Sequence, residues 1–135
     1  MRNRFLFILA MIMVLTVTAC SVKKLSTEKI KDVEFTVVEE KEIPEELLDV
    51  IEQRKKEPFK VSFAQGEYLY IAIGYGPQET SGYSIELKEC YETENAIYVH
   101  PNLIGPSKQE KIIETVTYPY IVIKMEFVDK HEVFE

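Results

Sequence analysis

The 135-residue chain is poor in the side chains that most chemistry needs, with two histidines, two cysteines and five glycines. His100 stands beside Pro101 and His131 lies near the end of the sequence, and neither has a cysteine, aspartate or glutamate at a spacing that makes a metal site. Ser81, in Thr80-Ser81-Gly82-Tyr83, lacks the Gly-x-Ser-x-Gly elbow of serine hydrolases. Glu79 and Glu110 offer a carboxylate pair across two loops, but with 23 acidic residues such coincidences are common. No nucleophile, base and orienting group assemble from these pieces, so the expectation is a protein that is not an enzyme and holds no metal and no other cofactor. Positive charge is scarce too. Sixteen Lys and Arg against 23 Asp and Glu leave a net charge of −7, which argues against a nucleic acid and for a protein partner. The length leaves room for one hydrophobic core rather than two.

Long apolar runs are also rare, and the prominent one is at the start. Arg2 and Arg4 precede a continuous stretch from Phe5 to Ala19, which Val17-Thr18-Ala19-Cys20 closes with small residues before a cysteine. This is the pattern of a secretory signal. Its fifteen residues fall short of the roughly 20 a helix needs to cross a hydrocarbon core.

The Val-Thr-Ala-Cys ending resembles the lipobox of bacterial lipoproteins. That resemblance implies a lipidated Cys20, carrying palmitate-type acyl chains, as the mature N-terminus. Several chains on one residue anchor far better than a single one. The expected location is then the extracytoplasmic face of a membrane in the bacterial cell envelope. The chain divides into a signal peptide at 1–19, a flexible polar tether at 20–31 after lipidated Cys20, and a folded domain at 32–135. Loss of Arg2 and Arg4 leaves 14 basic residues against 23 acidic, a net of −9. With Cys20 modified, Cys90 has no partner for an internal disulfide. Its neighbours Glu89, Tyr91 and Glu92 would raise rather than lower its pKa, so it reads as a packed residue and not a reactive thiol.

In the folded part, Val33, Phe35 and Val37 alternate with polar residues as in a strand. Pro44, the acidic Glu45 and Glu46, the apolar Leu47, Leu48 and Ile51, and the basic Arg54 to Lys56 together mark one amphipathic helix. Beyond Pro58 the pattern is β. Phe59, Val61 and Phe63 alternate, Tyr68 to Tyr75 is apolar on both faces like a central strand, and Gly74 within it marks a bulge or a close backbone approach. Tyr83, Ile85 and Leu87 begin the next strand, Ala96 to Asn102 another, and Ile121, Ile123, Met125 and Phe127 share one face of a last one. Residues 111–116 fit no element clearly, and the tail from Asp129 reads as frayed. The fold class is α+β, a single domain whose helix packs on a mainly antiparallel sheet.

The loop Gly76 to Gly82 is longer than a tight hairpin needs, and counting strand reversals puts it on the same rim as the loop Leu103 to Gln109. Plain chain reversal also uses Gly and Pro, and the tyrosines also serve as cross-strand packing partners. The segments Thr80-Ser81-Gly82-Tyr83, Gly105-Pro106 and Tyr118-Pro119-Tyr120, with the apolar strands around them, resemble the C-terminal domain of the PrcB family over roughly residues 68–126. That family comprises lipoprotein subunits of a bacterial cell-surface protease complex. The resemblance implies a non-catalytic accessory role, with Thr80, Ser81, Gly82, Tyr83, Gly105, Pro106, Tyr118, Pro119 and Tyr120 as the protein-binding candidates and a protease as a candidate partner. Gln78 to Tyr83 is also similar to the end of the first binding loop of chagasin-type inhibitors of cysteine proteases, which implies inhibition instead. A structural or interaction lipoprotein with no protease link is a further alternative.

Overall fold

The computed structural model describes residues 28–135. The expected signal at 1–19, Cys20 and most of the expected tether lie outside the described residues. Eight strands and one α-helix follow in the order β1 (Lys29–Asp32), β2 (Thr36–Val37), α1 (Glu45–Arg54), β3 (Pro58–Gln65), β4 (Tyr68–Tyr75), β5 (Ser84–Thr93), β6 (Ala96–Ile104), β7 (Tyr120–Glu126) and β8 (His131–Phe134). A short 3-10 turn at Glu40–Glu42 leads into the helix. Among the described residues no helix is long and apolar enough to cross a membrane.

The strands form two four-stranded sheets rather than one, with orders β1-β5-β6-β8 and β2-β7-β4-β3. The connections β4 to β5 and β6 to β7 therefore pass from sheet to sheet instead of making hairpins. The cause lies in the strands that are apolar on both faces, since a central strand of that kind must be covered twice. One face of the second sheet presents Leu69, Ile71, Ile73, Ile121, Ile123 and Met125, and these pack with Cys90, Ile97 and Val99 of the first sheet. Its other face presents Tyr70, Ala72, Val122 and Phe59, which cluster with Ile43, Leu47 and Ile51. Leu47 and Ile51, one helical turn apart, are fully buried there, and each contributes about 1.5–3 kcal/mol of transfer free energy.

Pairing is antiparallel throughout except between β6 and β8. β8 corrects the expectation of a frayed tail. Its short His-Glu-Val-Phe sequence earns too little from alternation to be read as a strand, but it pairs in register with the apolar β6, and Phe134 packs against the inter-sheet core. The start of the fold shifts too. β1 begins at Lys29, inside the expected tether, and all four of its residues are exposed edge positions. Val33 and Phe35 lie between β1 and β2 rather than within one strand, half-buried against the inter-sheet core. Phe127 has left β7 and is exposed, its amide donating to the Glu67 carbonyl at 2.8 Å.

Gly74 sits in unbroken register opposite Phe59, so no bulge occurs there. A Cβ at Gly74 would lie 2.1 Å from Phe59 Cε1. The glycine is the space the ring occupies. The register shifts of the described strands are instead in β5, between Leu87 and Glu89, and in β1, between Lys29 and Lys31. Before the shift in β5, the odd-numbered Ile85 and Leu87 turn inward; after it, Cys90 does.

Candidate functional site

The two crossovers meet at one end of the sandwich. Gly82 has φ +90°, and a Cβ there would stand 2.8 Å from Pro106 Cβ and 3.1 Å from Glu110 Oε2. A Cβ on Gly105 would lie 3.5 Å from Tyr83 Cε1. Gly82-Tyr83 and Gly105-Pro106 are thus neighbours at one rim, as the reversal count implies. Glu79 is exposed and does not belong to this contact; Glu110 does.

The segment that sequence could not assign, 111–116, is what ties the loops together. It makes no strand: residues 111–114 are irregular and a bend follows at Thr115, whose N–H donates to Ile113 O at 2.9 Å. Gln78 N–H donates to Thr117 O at 2.8 Å and Thr117 N–H returns a bond to Gln78 O at 3.0 Å. Ser81 N–H donates to Ile113 O at 3.0 Å while Ser81 Oγ accepts from Ile113 N–H at 2.8 Å. Thr117 Oγ1 donates to Thr80 O at 2.7 Å. Five bonds therefore fix the two loops against each other, with Thr80 and Ser81 at the centre. The hydroxyl of Ser81 accepts from the backbone of the facing loop and so helps to position it.

Tyr118-Pro119-Tyr120 divides. The Pro119 carbonyl accepts from Tyr75 N–H at 3.2 Å, which keeps Pro119 beside the end of β4. The Tyr118–Pro119 bond is trans, like every peptide bond among the described residues. Tyr120 points to the other layer. It packs against the helix-side cluster, and its phenol is raised above the ordinary tyrosine pKa by burial first, then by Glu40 and Glu52. Tyr120 is therefore removed from the rim, because it opens β7 on the same face as Val122.

The rim also carries residues that the motifs did not nominate. Ile112, Ile113 and Val116 are exposed at 44%, 67% and 54%, and Ile104 at 39%. Three large apolar side chains within five positions, held out by a segment that has no strand partner, form an apolar surface on the loop pair. Their signal in the sequence was apolar content at 111–116 without a period to bury it.

Cys90 faces the inter-sheet core, and its thiol is pushed up to about 11. Desolvation causes this rather than the flanking carboxylates. Residues 69–126 match the family model described as PrcB C-terminal. No curated protein and no solved structure matches the chain.

Proposed function

We propose, for a chain whose residues 69–126 are a PrcB-family C-terminal domain, that it is an accessory, non-catalytic subunit that meets a protein partner, a secreted or surface protease, through its loop rim. Its place is the extracytoplasmic face of the bacterial envelope, held by acyl chains on Cys20. The observation that carries the reading is the rim itself, where loops braced by five hydrogen bonds present Ile112, Ile113 and Val116 to solvent. Bracing lowers the ordering cost of association, and exposed aliphatic groups supply the buried centre an interface needs. The lipobox-like ending at Cys20 and the net negative charge support an anchored body that repels anionic headgroups rather than spreading on them.

The test uses a soluble Cys20→Ser form as bait on cell-envelope extract, with bound protein identified by mass spectrometry. Ile113→Glu with Val116→Glu should weaken recovery of the protease by about tenfold or more while the circular dichroism spectrum stays unchanged. Equal recovery by the double variant removes the rim from the interface. Inhibition of a papain-type enzyme by the same soluble form would replace the subunit role with the inhibitor one. The unmutated chain should fractionate with membranes and the Cys20→Ser form should not.

A further inference from the structure

The outer face of the first sheet, away from the shared core, gathers a constellation that no sequence spacing announces. In β5 the bulge after Leu87 reverses the alternation, which turns Glu89 outward and sets it opposite His100 of β6. On the other side of His100, β8 runs parallel to β6 in a register that pairs Val99 with Phe134, and Glu135 N–H donates to Val99 O at 3.0 Å. Glu135 thereby falls beside His100. The ligand atoms of Glu89, His100 and Glu135 all lie within 4.8 Å of one another. β5 and β6 contribute one donor each, and the residue just past the end of β8 contributes the third.

We propose that Glu89, His100 and Glu135 bind a first-row divalent cation, with Zn²⁺ as the reference ion. One imidazole nitrogen with two carboxylate oxygens is a donor set such ions accept. The spacing fits. His100 Nδ1 and Glu135 Oε2 are 4.0 Å apart, too far for a hydrogen bond. Ligands about 2.1 Å from a tetrahedral zinc stand roughly 3.4 Å from each other, so closure needs a movement of roughly half an ångström at that pair. Glu89 is exposed and Glu135 is 39% exposed at the side chain, which leaves both free to make it. Tyr91 supports the third ligand, donating from its hydroxyl to Glu135 Oε1 at 3.3 Å while its ring stacks on Tyr98 at 5.1 Å. Among the described residues no lysine or arginine forms an ion pair with Glu89 or Glu135. A cation would relieve the repulsion between two carboxylates on an already acidic protein. Three protein ligands leave a fourth position for water or for a donor from a bound polypeptide.

The full chain in detergent, titrated with Zn²⁺ in a calorimeter, tests the site. One ion per chain should bind with a dissociation constant in the micromolar range. His100→Gln, Glu89→Gln and Glu135→Gln should each weaken it by about tenfold or more, and Tyr91→Phe, which touches only the outer shell, by about tenfold. His131→Gln should change nothing. Because both cysteines remain in every variant, thiol binding cannot mimic the difference. Nitrogen-15 shifts of the His100 ring should move on Zn²⁺ addition to the unmutated chain, and far-ultraviolet circular dichroism reports whether each variant has kept its fold. No binding below about 1 mM, affinity unchanged by His100→Gln, or Ca²⁺ bound as tightly as Zn²⁺ would overturn the proposal.

Discussion

Single residues in this protein are constrained by what stands beside them more than by their own propensity. Gly74 shows it best. Glycine weakens a strand interior, yet β4 keeps one because the Phe59 ring fills the volume a methyl group would take. Gly74→Ala should therefore cost about 1–3 kcal/mol in urea unfolding, the usual penalty for overpacking a core. Gly74→Ala with Phe59→Leu should recover part of that loss, since the smaller side chain vacates the space and the two changes couple. A double variant no more stable than the sum of the singles would show that backbone entropy, not the ring, explains the glycine. Cys90 shows the same dependence on surroundings: the flanking acids visible in the sequence do not set its pKa, and burial against the second sheet does.

At the scale of elements, what could be read was what repeats. The period of two in β3 and β7, the apolar run of β4 and the helix with acid at its start and base at its end were all legible, because each element states its burial in its own residues. The short edge strands were not. β1 exposes every residue, and β8 is defined by the register it borrows from β6. The rim was half legible: turn chemistry located Gly82 and Gly105-Pro106, whereas the clamp at Ile113 and Thr117 depends on bonds to backbone atoms that carry no sequence mark. β8 has a fastener of its own. Lys130 Nζ donates to Glu92 Oε1 at 2.6 Å and to Thr93 O at 2.8 Å, joining the approach to β8 to the end of β5. Glu92 is only 8% exposed, and the hydrogen bond from Lys130 holds its carboxyl below the usual range against the opposing effect of burial. A depressed carboxylate pKa contributes stability that is present above the unfolded value of about 4.3 and disappears as pH falls through the folded one. Lys130→Met should accordingly lower stability by about 1–3 kcal/mol at pH 7 and by progressively less below about pH 4, measured by urea unfolding across that range. A deficit that is flat with pH would mean that the lysine acts through packing alone.

For the whole molecule, the decisive feature is that one sheet serves two cores. β4 and β7 present Ile71 and Ile123 to the first sheet and Ala72 and Val122 to the helix, so the same backbone ladder transmits the loss of either layer to the other. Cooperativity should follow from that sharing. A helix packed on a sheet that was already closed could peel away alone, but here its removal uncovers Tyr70, Ala72 and Val122 on strands that the inter-sheet core needs in register. Ile51→Val, on the helix side, and Ile123→Val, between the sheets, should each cost about 0.5–1.5 kcal/mol. Each should shift one common transition, seen identically by far-ultraviolet circular dichroism and by tyrosine fluorescence, and the two losses should add, because the side chains belong to different clusters. If Ile51→Val moved only an early, helix-specific transition and left the later one in place, the helix would be an appendage rather than a layer. The rim would then stand on the β-sandwich alone, and changes on the helix side would leave partner binding untouched.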